Sequence, residues 1–163
     1  MEAEFIQMIN NNRALIFKVC NLYCRDPESR KDLFQEIVLQ LWKSFPGFRK
    51  ESTSSTWIYK VAINTAISNL RRESRKPVKQ SLQQPDFEIP DLKSNSQDDE
   101  QWEMLKLAIE KLTEIEKAIL LLYLDEKSYD EMSEIMGISG SNVGARLNRI
   151  KTKLIKLVKN ELI

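Results

Sequence analysis

Residues 77–101 separate two stretches of helical periodicity, and this interruption limits the chain to a small packed module on either side. The segment holds three of the chain's five prolines, scattered Ser, Gln and Asn, and an acidic end at Asp98, Asp99 and Glu100. Proline removes a backbone donor and biases the residue before it away from helix. Polar composition of this kind does not repay the entropy of ordering. A flexible tether is expected, able at about 3.3–3.6 Å per residue to stretch across several tens of Å. With only four glycines in 163 residues and few β-branched runs, both modules should be helical. The expected architecture is all-α, with a helical domain over 1–76, an acidic linker over 77–101 and a second helical domain over 102–163.

Apolar residues recur at helical spacing from about Phe5 to Cys24, where Asp26-Pro27 breaks the pattern. A second helix is expected from Arg30 to Ser44, ended by Pro46-Gly47. A polar loop through Arg49, Lys50 and the Ser/Thr run 52–55 then leads to a helix over 56–72, and Lys76-Pro77 closes the module. Periodicity returns at Trp102. Thr113 to Glu116 and Ser128 to Glu131 both fit the S/T-x-x-E capping box, so a helix should start at each. Gly137 ends the latter, Ile138-Ser139-Gly140 forms a turn, and a last helix runs from Ser141 to about Asn160.

Formal charge is +1, but it is unevenly placed. Residues 1–76 hold 13 Lys/Arg against 8 Asp/Glu, and residues 77–101 hold 2 against 6. Residues 103–136 hold 4 against 9, whereas 137–163 hold 6 against 1. Two basic regions separated by acidic material point to two local anion-binding surfaces.

The absence of histidine removes the commonest metal ligand and the commonest general base. Cys20 and Cys24 lack further Cys or His to complete a zinc site and are read as small buried apolar residues in a reducing compartment. No metal and no cofactor are expected. The acidic N-terminus lacks a signal-peptide pattern, and the longest uncharged apolar run, Ala118 to Leu124, is too short to span a bilayer. A cytoplasmic protein without membrane insertion is the expectation.

Between Glu51 and Glu73 no acidic residue occurs. On a helical wheel, Ile58, Tyr59, Ala62, Ile63, Ala66, Ile67 and Leu70 share one side. The other carries Lys60, Asn64, Thr65, Ser68, Arg71 and Arg72, with Trp57 and Val61 among them. Such a face suits a nucleic-acid backbone and unstacked bases, although an ordinary solvated helix face fits the same pattern. Trp57 reads either as a stacking platform or as a core residue at the module seam.

Residues 128–154 have the order of a helix-turn-helix: a short capped helix, a Gly-containing turn and a basic helix. With Val143, Leu147 and Ile150 facing the core, the outward face carries Ser141, Asn142, Ala145, Asn148, Arg149 and Thr152. Small and amide side chains there permit close approach to base edges, where Asn and Arg make bidentate contacts. Arg146, Lys151, Lys153 and Lys156 lie toward the flanks, where phosphates are the natural partner. A plain helical hairpin with a basic surface fits too. In the helix before the loop, Leu33, Phe34, Ile37, Val38, Leu41 and Trp42 take the core side. Leu39 is stranded among Asp32, Gln35, Glu36, Gln40 and Lys43, as a docking face would have it, although single surface leucines are common.

Asp32-Leu33-Phe34-Gln35-Glu36 with Leu41-Trp42, Phe48, Thr56-Trp57-Ile58-Tyr59, Asn64 and Arg71-Arg72 resembles region 2 of bacterial sigma factors. Leu112-Thr113, Ser128-Tyr129-Asp130-Glu131-Met132, Gly137-Ile138-Ser139 and Val143 to Leu154 resemble region 4. Both blocks in this order, with little else, are similar to the small extracytoplasmic-function (ECF) class of the sigma-70 family. The resemblance implies a transcription initiation factor that is not an enzyme. It implies that Asp32, Gln35, Glu36, Leu39 and Gln40 dock on the β′ coiled coil of core RNA polymerase, with the β subunit as a further partner and the tether near the RNA exit path. Trp57, Lys60, Asn64, Ser68, Arg71 and Arg72, with the loop from about Phe48 to Thr56, would open and read the −10 promoter element. Ser141, Asn142, Ala145, Arg146, Asn148, Arg149 and Lys153 would serve the −35 element. Members are commonly held inactive by an anti-sigma factor, often a membrane-bound one.

The chain departs from the family's habits at Ser68 (often Asp or Asn), Ser133 (Ala), Asn142 (Thr) and Gly144 (Lys), which bears on the promoter sequence preferred. A stand-alone helix-turn-helix regulator is the alternative, but such proteins usually dimerise, and no heptad seam is present. A nucleic-acid-processing enzyme is disfavoured by the lack of His, of a phosphate-cradling Gly loop and of a convergent carboxylate cluster.

Overall fold

Helix propensity and apolar spacing alone do not set where helices stop; caps and prolines do. A computed structural model describes residues 2–48, 53–75 and 96–161 and divides the chain into two units, Met1–Phe87 and Glu88–Ile163. Among the described residues all regular structure is helical, as expected. Residues 77–95 of the expected linker lie outside the described residues, and so do 49–52 of the loop.

The first unit contains α1 (Glu2–Asn11), α2 (Arg13–Tyr23), α3 (Pro27–Ser44), a 3-10 turn (Phe45–Gly47) and α4 (Ser54–Arg75). The continuous helix expected over Phe5 to Cys24 is in fact two. The break falls at Asn12, whose backbone leaves the helical region at φ −117° while its side-chain amide donates to the Met8 carbonyl at 2.8 Å. Asn competes with the backbone for local hydrogen bonds, and the run Asn10-Asn11-Asn12 was the signal. The second difference is at Asp26-Pro27, which starts a helix as well as ending one. Pro27 occupies the first turn, and the Asp26 carboxylate accepts from the Ser29 N–H at 2.9 Å. Arg30 then secures the α2–α3 turn by donating to the carbonyls of Cys24 and Arg25.

α2, α3 and α4 pack mutually, with α1 against α2. Their core is Ile16, Val19, Cys20, Leu33, Ile37, Leu41, Ile58, Tyr59, Ala62, Ile63 and Ala66, all nearly inaccessible to water. Six of the seven residues expected on the apolar side of α4 are buried, and Leu70, in the last turns, is half-buried. Trp42, expected in the core, is 43% exposed: it lies at the edge, where Phe5 meets it edge-on at 4.9 Å. Phe34 is half-buried and stacks on Phe17 at 4.7 Å. Burial pushes the Cys20 thiol up to about 12, and burial followed by nearby Asp26 also raises Cys24, so both stay neutral thiols.

The second unit contains α5 (Ser96–Glu110), α6 (Glu114–Leu124), α7 (Tyr129–Met136) and α8 (Gly140–Glu161). α5 begins six residues ahead of Trp102, inside the stretch read as linker. α8 packs against α5, α6 and α7. Ala108, Leu112, Ala118, Ile119, Leu122, Met132, Ile135, Val143, Leu147 and Ile150 form the core, while Leu154 and Leu157 farther along the stripe are half-buried. Both capping boxes form: Thr113 and Ser128 accept from the N–H groups of Glu116 and Glu131, whose carboxylates accept in return.

These caps have a pH consequence. Hydrogen bonds from Ser29 hold the Asp26 carboxyl below its usual range, and the Ser128 N–H does the same for Glu131. At Glu116 burial raises the carboxyl, but the Thr113 N–H and Lys153 outweigh it and the net direction is down. A depressed folded value means the stabilisation is complete above the ordinary carboxylate range and is lost as pH falls through the lowered values. Thermal melts from pH 7 to 3 should therefore show a flat upper branch and a falling melting temperature below about pH 4.5; a melting temperature that rises on acidification would contradict this.

Candidate nucleic-acid interface

α7 and α8 form the helix-turn-helix. Gly137 takes a left-handed conformation (φ 69°), which a side chain would oppose, and its N–H returns to the Ser133 carbonyl at 2.8 Å. The Ser133 hydroxyl donates to the Ile138 carbonyl across the same turn, a hydrogen bond that an Ala at this position would lack. Ser139 starts α8, its hydroxyl accepting from the Asn142 N–H at 3.2 Å. Gly144 leaves room for the half-exposed Tyr129 ring of α7: a Cβ there would sit 3.4 Å from it, at the limit of ordinary contact.

Val143, Leu147 and Ile150 are fully buried, so the rotation of α8 is set, and Ser141, Asn142, Ala145, Asn148, Arg149 and Thr152 are all exposed on the other side. Arg146 is half-buried at the flank. Two basic residues have protein partners instead of solvent alone. Lys151 lies over the Tyr123 ring at 4.5 Å, and Lys153 Nζ donates to Glu116 Oε1 at 2.9 Å. Sequence reasoning missed both, because α6 and α8 meet only in the folded unit.

In the first unit, Thr53 Oγ1 accepts from the Thr56 N–H at 3.3 Å and donates to the buried Thr56 hydroxyl, setting the start of α4. Lys60, Asn64, Ser68, Arg71 and Arg72 are exposed along one face, with Val61 and Thr65 half-buried between them. Arg72 donates to the side-chain amide oxygen of Asn69 one turn back. Trp57 is half-buried: Phe48 stacks on one face at 4.5 Å, and Phe45 lies 6.4 Å away. That places it in an aromatic cluster at the start of α4, with one ring face taken by Phe48.

α3 presents Asp32, Gln35 and Leu39 to solvent, Leu39 at 45% exposure, while Glu36 and Gln40 are half-buried and hydrogen-bonded to each other at 3.1 Å. A groove of about 430 Å³ between α3 and α4 is lined by Glu36, Gln40 and Ser44 on one wall and Asn64, Thr65, Ser68 and Arg72 on the other. Two sets expected to serve different partners thus share one groove. Its lining is hydroxyls, amides, one carboxylate and one guanidinium, which can hydrogen-bond a polar ligand edge, with the half-buried Val61 side chain as its apolar part. Among the described residues no cluster of His, Cys, Asp or Glu could hold a metal, and no helix is long and apolar enough to cross a membrane.

Comparison with known proteins agrees with this arrangement. Residues 8–76 match the family described as Sigma-70 region 2, and residues 102–154 match Sigma-70, region 4. The ECF RNA polymerase sigma-E factor of Haemophilus influenzae is 29% identical over 131 residues, covering 74% of this chain and 69% of that protein. RNA polymerase sigma factor SigV of Bacillus subtilis is 25% identical over 163 residues, covering 99% and 95%. Among solved structures, the sigma factor RpoE in complex with the anti-sigma factor NepR from Bartonella quintana superposes with a TM-score of 0.76 at 19% identity, over 96% of this chain and 97% of that one. CnrH in complex with the cytosolic domain of CnrY gives 0.70 at 14% identity, over 98% and 90%. With both family regions matched in order, and with curated sigma-factor relatives that cover 74% and 99% of its length, the chain belongs to the sigma-70 family as an RNA polymerase sigma factor of the extracytoplasmic-function class.

Proposed function

We propose that the chain divides its work among three helix faces within a domain plan of 1–76, 77–101 and 102–163. Asp32, Gln35, Glu36, Leu39 and Gln40 of α3 bind core RNA polymerase. Trp57, Lys60, Asn64, Ser68, Arg71 and Arg72 of α4 take the opened −10 element, and Ser141, Asn142, Ala145, Arg146, Asn148 and Arg149 of α8 take the −35 element as duplex. The observation that carries this reading is the orientation of α8: its apolar stripe is fully buried and every predicted base-facing residue is exposed. Lys153 stands apart, because its charge is engaged by Glu116.

The physical logic is avidity. Two modest DNA contacts joined through one polymerase act at high effective concentration, so neither needs to be tight alone. Opening costs a few kcal/mol for each base extruded, which hydrogen bonds from the groove and stacking contacts offset. The chain supplies binding and orientation and no catalytic group; the chemistry is the polymerase's. It works in the cytoplasm. Its structural neighbours were solved with NepR and with the cytosolic domain of CnrY, and an anti-sigma partner is part of this proposal.

Reconstitution tests it: the purified chain with core polymerase should start transcription at promoter sequences selected by the holoenzyme. Tight duplex binding without polymerase binding or initiation would instead establish a stand-alone regulator. Arg149→Ala should lose about 1–3 kcal/mol of discrimination at one position of the −35 element if Arg149 reads a guanine. An equal loss on every sequence would make it a phosphate contact.

A further inference from the structure

A second groove, of about 390 Å³, runs along α8 and is lined by Asn148, Arg149, Thr152, Lys153 and Lys156. Three cations, an amide and a hydroxyl suit a phosphodiester backbone. One of the three cations is already engaged: Lys153 Nζ reaches Glu116 Oε1 at 2.9 Å, across 37 residues of sequence. The same oxygen accepts the Thr113 N–H at 2.9 Å, closing the cap of α6. Glu116 is therefore held in place by its own helix, with its side chain only 21% exposed. Most surface ion pairs lose their attraction to side-chain entropy and screening. Here one partner is already ordered and partly shielded, so the pair persists.

A lysine that neutralises a phosphate releases a condensed counterion, and one whose charge is matched by a carboxylate at hydrogen-bond distance releases little. We propose that Glu116 is an internal counter-anion for the α8 groove: it withholds Lys153 from the DNA backbone and positions it against α6, so that region 4 grips duplex more weakly than its basic residues would allow. The inference rests on the reading that α8 lies on duplex DNA. A weaker grip fits a protein that needs both of its DNA contacts together to hold a promoter.

The test is Glu116→Gln in the full chain. Gln is the other residue the capping box accepts at this position, so the charge goes while the cap stays. Binding to a mixed-sequence duplex is followed by fluorescence anisotropy across a KCl series, with thermal melts alongside. The slope of log affinity against log salt should steepen by about 0.9, the value of one added phosphate contact. The double variant E116Q/K153Q should return to the wild-type slope. An unchanged slope in E116Q would overturn the proposal. So would a steeper slope that survives in the double variant, because the gain would then come from removing a negative charge and not from releasing Lys153. A shallower slope would mean that Glu116 presents Lys153 to the phosphate, the opposite role. Failure of the underlying reading looks different: the wild-type chain would show no salt-dependent duplex binding at all.

Discussion

Leu147→Ala should unfold the second unit or leave it marginal. Leu147 is 1% exposed in the middle of the α8 stripe, between Val143 and Ile150, and α8 is the helix that all three others in its unit pack against. Truncating a buried leucine costs about 2–5 kcal/mol, part for lost transfer from water and part for the cavity left behind. A module this small has a total stability of the same order, because its core is limited by its surface. Loss of the folded unit should remove duplex binding along with the helicity of α5 to α8. Far-ultraviolet circular dichroism against temperature and amide chemical shifts would report it. A destabilisation below about 1 kcal/mol would mean that the core closes around the cavity far better than its packing suggests. Leu154→Ala, at a half-buried position on the same stripe, should cost distinctly less and serves as the internal comparison.

The second large effect is expected on assembly. Replacing Gln35 and Glu36 together by Ala should weaken core polymerase binding by about tenfold to a hundredfold, if each is an interface residue worth more than 1 kcal/mol. The fold should be unaffected, because Gln35 is exposed and the core positions of α3 are Leu33, Ile37 and Leu41. The intramolecular cost is the part-buried Glu36–Gln40 hydrogen bond, worth about 1 kcal/mol. Competition for core polymerase against the wild-type chain measures the affinity, and excess variant should restore transcription by mass action. Unchanged affinity would remove α3 as the docking helix. Because Glu36 and Gln40 also line the groove facing Asn64 and Arg72, single-strand binding by the same variant separates the two uses of that wall.

Much of this protein is written locally. The apolar stripes of α4 and α8 were read correctly because spacing of three and four residues determines which side chains share a face, whatever the helix packs against. Ser128 and Glu131, and Thr113 and Glu116, announced helix starts because a capping box is complete within four residues. The helix boundaries at Asn12 and Asp26-Pro27 are local too: an Asn run and a Pro preceded by a cap mark them within a few residues, although the apolar spacing runs on across Asn12 without a break. Trp42 was misplaced for a different reason: a helical wheel gives its direction from the axis but not where the neighbouring helices end.

The sequence by itself determined the helical class, the two periodic halves, the faces of α4 and α8, and a family resemblance that comparison with known proteins then bore out. All of these rest on contacts within a few residues, or on motifs whose order survives in one dimension. Only the tertiary structure decided the rest: the stacking of Phe48 on Trp57, the groove shared by Glu36 and Arg72, and the pairing of Lys153 with Glu116 across 37 residues. Those depend on how one helix crosses another, and side-chain pairing between helices has no period in the sequence. A basic residue on a helix face can be counted from the sequence, but whether its charge is available to DNA depends on what the neighbouring helix places beside it.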